Sequence, residues 1–276
     1  MEIKKHLEHT KSKLMSLKSS IILTTKNLSI GYNVKRTQKV IASNINLTFE
    51  KGKLITLVGT NGIGKSTLLR TLTRIQKPLF GEVYLEENSL QSIDRLLLAK
   101  NLSLVLTEKL LPSNLTVFEL VALGRQPYTN WLGKLSDVDL KIIHNVIALT
   151  QIEVLLEKKH HEISDGQLQK VMIARALAQD TSIIILDEPT THLDLLHKVS
   201  VFKLLKKLSK ETNKCILFST HDIDLAIQLS DEMIVMTEEK VYQNQPCNLI
   251  SEGVFDTLFK DEKISFDGMK GKFIIK

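Results

Sequence analysis

Nine residues constrain this chain more than any others: Gly59-Thr60-Asn61-Gly62-Ile63-Gly64-Lys65-Ser66-Thr67. A glycine, four residues and then Gly-Lys-Ser is the pattern of a loop that cradles phosphates. Glycines let backbone N–H groups turn inward without a side-chain clash. Those donors, with the positive end of a following helix, hold phosphate oxygens. Gly59, Asn61, Gly62 and Gly64 shape the cradle. Lys65 adds a point charge at the terminal phosphates, the Ser66 hydroxyl is placed to ligate Mg²⁺, and Thr67 supports the α-phosphate. The flanks agree, since Lys53–Val58 reads as an apolar strand ended by Gly59 and Ser66–Ile75 as a helix. The loop alone does not choose among kinases, GTPases, helicases and transport ATPases.

A second motif narrows the choice. Ile183-Ile184-Ile185-Leu186 predicts a buried strand, and Asp187-Glu188 follows at its C-terminal end. That is where α/β sheets place their ligands. Asp187 is positioned to hold Mg²⁺ through water, and Glu188 to polarise an attacking water as general base. Acids after strands are common; the upstream phosphate loop is what turns this pair into a hydrolytic set.

The remaining pattern predicts an α/β core with a mainly helical insert. Ile21–Ile30 and Val40–Phe49 alternate as antiparallel strands do, and Gly81–Leu85 returns as an edge strand. Thr116–Leu123, Asp137–Leu149 and Leu168–Gln179 carry helical spacing, Val199–Lys210 is amphipathic, and Ser182–Leu186, Lys214–Ser219 and Glu232–Met236 read as strands. The expected divisions are a basic extension over 1–20, a nucleotide-binding domain over 21–245 with its insert at about 89–163, and an appendage over 246–276.

Composition excludes several classes. With 276 residues, 43% of them hydrophobic and 25% charged, the chain builds one large core and is not a disordered polymer. No apolar stretch approaches the roughly 18 residues that span a bilayer, so any membrane role runs through partners and a cytoplasmic location is expected. The two cysteines, Cys215 and Cys247, have neither metal spacing nor a disulfide pattern. The net charge of +6 selects no partner, and no nucleic acid is expected.

Between the two main motifs lies Ile163-Ser164-Asp165-Gly166-Gln167, with Ser164 23 residues before Asp187. It resembles the Leu-Ser-Gly-Gly-Gln signature of ABC ATPases. Thr191-His192-Leu193-Asp194 resembles the D-loop of that family, and Ser219-Thr220-His221-Asp222 its switch-histidine motif. Tyr32 falls where the family stacks an aromatic on adenine. The resemblance covers about Ile21 to Met236. It implies a P-loop NTPase core with a mainly parallel sheet, an antiparallel β subdomain and a helical insert. It also implies ATP and Mg²⁺ as cofactors and a head-to-tail homodimer. Each ATP then lies between one copy's phosphate loop and the Ser164, Gly166 and Gln167 surface of the other, His221 contacts the γ-phosphate, and Asp194 couples the two sites. Alternative roles stay open for three of these residues: a helix cap for Ser164, a strand-end histidine for His221, surface cover for Tyr32.

Two positions depart from the family pattern. Asp165 stands where glycine is usual, and an acid near phosphate costs electrostatically unless it points away. After the strand-like Leu102–Leu106 the family places glutamine, where this chain has Thr107 and then Glu108. Downstream, Thr116–Tyr128 and the tail Phe255–Phe273 resemble the ATPases of siderophore, haem and cobalamin importers. That likeness implies an integral membrane permease, an external solute-binding protein, and a place at the cytoplasmic face of the cell membrane. Val117, Leu120 and Val121 are expected to supply part of the groove that receives the permease. An exporter ATPase, a soluble ATPase of cofactor assembly, and a binding-only module remain as alternatives; the last needs a defective hydrolytic set, yet Lys65, Asp187, Glu188 and His221 are all present.

Overall fold

Apart from a C-terminal hairpin, the described strands sort into two sheets, because one set is apolar on both faces and the other on one. The computed structural model describes residues 20–34, 37–106, 113–259 and 264–275. The expected 1–20 extension therefore lies outside the described residues except for Ser20, and so do Thr107 and Glu108.

Strands β1 (Ile21–Val34), β2 (Thr37–Ile45) and β3 (Thr48–Glu50) open the fold. Strand β4 (Leu54–Gly59) leads into helix α1 (Lys65–Leu72), followed by β5 (Phe80–Leu85) and β6 (Asn88–Ser89). Next come α2 (Arg95–Asn101), β7 (Leu102–Val105), α3 (Val117–Ala122), α4 (Asp137–Thr150) and α5 (Asp165–Ala178). The second half runs β8 (Ile183–Leu186), α6 (Leu195–Glu211), β9 (Cys215–Ser219), α7 (Ile223–Leu229), β10 (Glu232–Met236) and β11 (Val241–Asn244). Helix α8 (Pro246–Ser251) and the hairpin β12 (Ile264–Asp267) with β13 (Lys272–Ile275) close it.

The main sheet has the order β11-β10-β4-β9-β8-β7 and is parallel apart from β11. Its central strands are buried throughout because both faces are covered. Successive side chains point to opposite faces. On β8, Ile184 and Leu186 pack with the helices α3 to α6, while Ile183 and Ile185 pack toward α1 and the antiparallel sheet. Burying these four aliphatic side chains stabilises the fold by roughly 6–12 kcal/mol before entropy is counted. The antiparallel sheet runs β2-β1-β5-β6, with β3 on β1.

Three expectations are corrected. Strand β5 is not an edge, because β6 pairs with it. Within 89–163, the strand expected at Leu102–Leu106 is β7, which forms the border of the main sheet. Helix α5 begins at Asp165 rather than Leu168. Ser164 and Gln167 form a reciprocal capping box that carries the helix through Gly166. Finally, Val117, Leu120 and Val121 are buried in the main core, where α3 packs against α5, and offer no exposed face to a partner.

The C-terminal appendage is continuous with the core. Leu249, Val254, Phe255 and Leu258 are buried in the same cluster as β8 and α6. Phe266 of the hairpin stacks on Phe255 at 4.8 Å between ring centres.

Candidate nucleotide site

The phosphate loop is fixed at both ends by contacts that only glycine permits. A β-carbon on Gly59 would lie 2.7 Å from the Met236 carbonyl of β10, and one on Gly64 2.4 Å from Ile41 Cγ2. Gly64 also has φ +111°, in the left-handed region. Helix α1 starts directly afterwards, so Lys65 is placed at its first position. The Lys65 ammonium is buried and donates to the Gly59 carbonyl at 3.0 Å and the Thr60 carbonyl at 3.3 Å. Burial lowers its pKa, while the charges of Glu188 and Asp187 oppose that shift.

Residues 61–67, Tyr32 and Glu188 line one cavity of about 550 Å³. The Tyr32 hydroxyl lies 2.6 Å from Thr67 Oγ1, which anchors the ring against the loop. Sequence reasoning missed Lys39, Val40 and Ile41 of β2 and Glu238 of the β10–β11 turn, which complete the wall. A signal existed for β2: in the β1–β2 hairpin Lys39 is the register partner of Tyr32, so assigning the aromatic carries its neighbours with it.

The acid pair is held at the end of β8 by a residue of the next strand. Ser219 Oγ donates to Asp187 Oδ1 at 2.7 Å and accepts from the Glu188 N–H at 2.8 Å. Glu188 has φ +47°, a strained backbone that aims its carboxylate off the strand axis. Its Oε1 meets His221 Nε2 at 2.7 Å, and its Oε2 accepts from the Thr191 hydroxyl at 3.1 Å. The turn carrying His221 is braced in turn: Lys198 Nζ donates to Asp222 Oδ1 at 2.7 Å, and the Thr190 hydroxyl donates to Asp222 Oδ2 at 3.2 Å.

The remaining assigned residues stand apart from this cavity. Ser164 is exposed and caps α5, accepting from Gln167 N–H at 3.3 Å while Gln167 Oε1 accepts from Ser164 N–H at 3.0 Å. Asp165 is exposed in the first turn. Asp194 is exposed and caps α6, accepting from the His197 N–H at 2.9 Å. Neither Ser164, Gly166, Gln167 nor Asp194 lines the phosphate cavity of its own chain.

A family model described as "ABC transporter" matches residues 42–191. The chain belongs to the ABC transporter family. It is an ATP-binding, ATP-hydrolysing subunit of that family. Among ABC relatives, it is 40% identical over 256 residues to an uncharacterized ABC transporter ATP-binding protein of Methanocaldococcus jannaschii, covering 92% of this chain and 87% of the relative. It is 36% identical over 251 residues to the petrobactin import ATP-binding protein FpuD of Bacillus anthracis, covering 90% of each. It is 39% identical over 219 residues to the iron(3+)-hydroxamate import ATP-binding protein FhuC of Bacillus subtilis, covering 79% of this chain and 80% of the relative. A dimeric ATP-binding cassette solved in a post-hydrolysis state with ADP and phosphate superposes with a TM-score of 0.69 at 29% identity, covering 82% of this chain and 99% of that one. No helix among the described residues is long and apolar enough to cross a membrane. The ABC subunit is a peripheral one that works with a membrane permease, and cassettes of this type pair.

Proposed function

We propose that this chain energises import of an iron complex, a siderophore or haem, or of a cobalamin-like chelate, through a separate permease. The names of the iron-hydroxamate and petrobactin relatives support the cargo class. An external solute-binding protein delivers the cargo, and the ATPase sits on the cytoplasmic face of the cell membrane. The observation that carries the ATPase reading is the Glu188–His221 contact at the mouth of the lysine-bearing cavity.

In this reading Lys65 and the loop N–H groups bind the terminal phosphates while Tyr32 stacks on adenine. Glu188 takes a proton from the attacking water, with its carboxylate aimed from both oxygens by His221 and Thr191. His221 acts first as the orienter of Glu188, and its contact to the γ-phosphate belongs to the closed pair. The donors suit Mg²⁺: a hydroxyl at Ser66 and a buried carboxylate at Asp187 are hard oxygen ligands. Among the described residues no three metal-ligating side chains cluster, so an all-protein cage is not on offer. Mg²⁺ uses one or two protein oxygens with water and phosphates, and when bound it neutralises charge on the transferred phosphoryl group.

The single chain carries half of each ATP site. The Ser164 surface, with the positive end of α5, completes the cavity of a second copy arranged head to tail. Docking of the permease moves away from Val117, Leu120 and Val121. A groove of about 800 Å³ between the end of α1 and α2 is lined by Ile75, Arg95, Leu98, Leu104 and Gln179. Beside it Leu96 and Leu97 are each 53% exposed, apolar surface suited to a helix of the permease.

The test is uptake of a labelled ferric hydroxamate by cells lacking this chain. Uptake should fall on deletion and return with the wild-type chain but not with Glu188→Gln. Uptake that does not change on deletion contradicts the proposal.

A further inference from the structure

The Gly166 position in the Ser164 turn is closed by a ring from another helix. A β-carbon on Gly166 would lie 2.8 Å from His197 Cδ2 and 3.4 Å from its Cγ. The ring is tethered in this position. Its Nδ1 lies 2.8 Å from Asp194 Oδ1, the same oxygen that accepts the His197 backbone N–H at 2.9 Å. Hydrogen bonds from the His197 backbone and ring hold the Asp194 carboxyl below its usual pKa, so the anchor stays ionised. The first turn of α5 and the first turn of α6 therefore meet at one imidazole.

The ring is not part of the hydrophobic core. The His197 side chain is 56% exposed, so its removal leaves no cavity in the core, and surface substitutions of this kind change stability little. Nor does it line the nucleotide cavity of its own chain.

We infer that His197 is a positioning residue that braces the Ser164 turn against the Asp194 turn, and that glycine at 166 is required by this ring. The inference rests on the proposed head-to-tail pair, in which both turns face the second copy. Movement of the Asp194 turn at one ATP is passed through the ring to the Ser164 turn.

A double-mutant cycle tests it. On a Glu188→Gln background with ATP and Mg²⁺, sedimentation equilibrium gives the pairing constant of four proteins: the background, His197→Ala, Gly166→Ala, and both together. His197→Ala should weaken pairing several-fold while leaving the single chain's ATP affinity and melting temperature unchanged. Gly166→Ala should weaken pairing more, and adding His197→Ala should restore it by about tenfold, because the clash is gone. The inference is overturned if the Gly166→Ala loss is the same with and without the ring, or if His197→Ala lowers ATP affinity or melting temperature along with pairing. If the background itself does not pair with ATP, the head-to-tail reading fails instead. ATP turnover by the same substitutions with Glu188 restored then reads the coupling between Gly166 and His197 independently, and additive losses there overturn the inference too.

Discussion

Ser219→Ala removes one oxygen and loosens both hydrolytic acids at once. Ser219 is fully buried, and its hydroxyl makes the 2.7 Å bond to Asp187 and takes the 2.8 Å bond from Glu188 N–H. A hydrogen bond to a charged group contributes about 1.5–3 kcal/mol and a neutral one about 0.5–1.5. Losing both costs about 2–4 kcal/mol, which lowers the melting temperature by roughly 5–15 °C in a chain of this size. The functional loss is sharper. The Glu188 backbone sits at φ +47° and relaxes when its N–H is released. A displacement of about 1 Å at a reacting group costs on the order of 100-fold. Phosphate-release assays should show kcat falling by about 10- to 100-fold with the KM for ATP within about twofold, because Ser219 does not line the nucleotide cavity. Calorimetry supplies the stability reading. An unchanged kcat, or a KM that rises as kcat falls, refutes the reasoning that Ser219 orients the acids.

Further outcomes follow from other contacts. Arg125 and Asp139 form an ion pair at 2.8 Å with side chains only 4% and 6% exposed, and Arg125 also donates to the Ala178 carbonyl and stacks on Tyr128. Arg125→Met leaves the buried Asp139 carboxylate its Ser136 hydrogen bonds but no cation, and should cost about 3–5 kcal/mol in urea unfolding; a loss under about 1 kcal/mol contradicts this. Tyr32→Phe loses only the hydroxyl contact to Thr67 and should raise the ATP dissociation constant a few-fold, whereas Tyr32→Ala also loses the stacking face and should raise it by about tenfold, measured by calorimetric titration. Asp165→Asn removes an exposed charge near the phosphate-facing turn. It should tighten ATP-driven pairing by about threefold at low salt and have no effect near 1 M salt; a salt-independent change would point to structure rather than charge.

Local chemistry was legible in the sequence and tertiary neighbourhood was not. The phosphate loop and the Asp187-Glu188 pair announce themselves because glycine and acid have strict local reasons to be there. The main sheet was legible from its apolar runs, since strands covered on both faces are dominated by aliphatic residues. Val117, Leu120 and Val121 were misread because helical spacing shows that a face is apolar but not what covers it. The early start of α5 was hidden by Gly166, a poor helix former, although Ser164 and Gln167 spell a capping box. Ser219 and His197 act through contacts 31 residues or more away in sequence, to Glu188 and to Gly166, and no periodicity encodes such contacts.

The central claim is that ATP is held between two copies of this chain. A structure of the Glu188→Gln protein with ATP and Mg²⁺ tests it directly. The account predicts two copies head to tail, each γ-phosphate touching Lys65 of one and Ser164 of the other. Copies that pair in any other way, or a bound ATP with Ser164 facing solvent, contradict it.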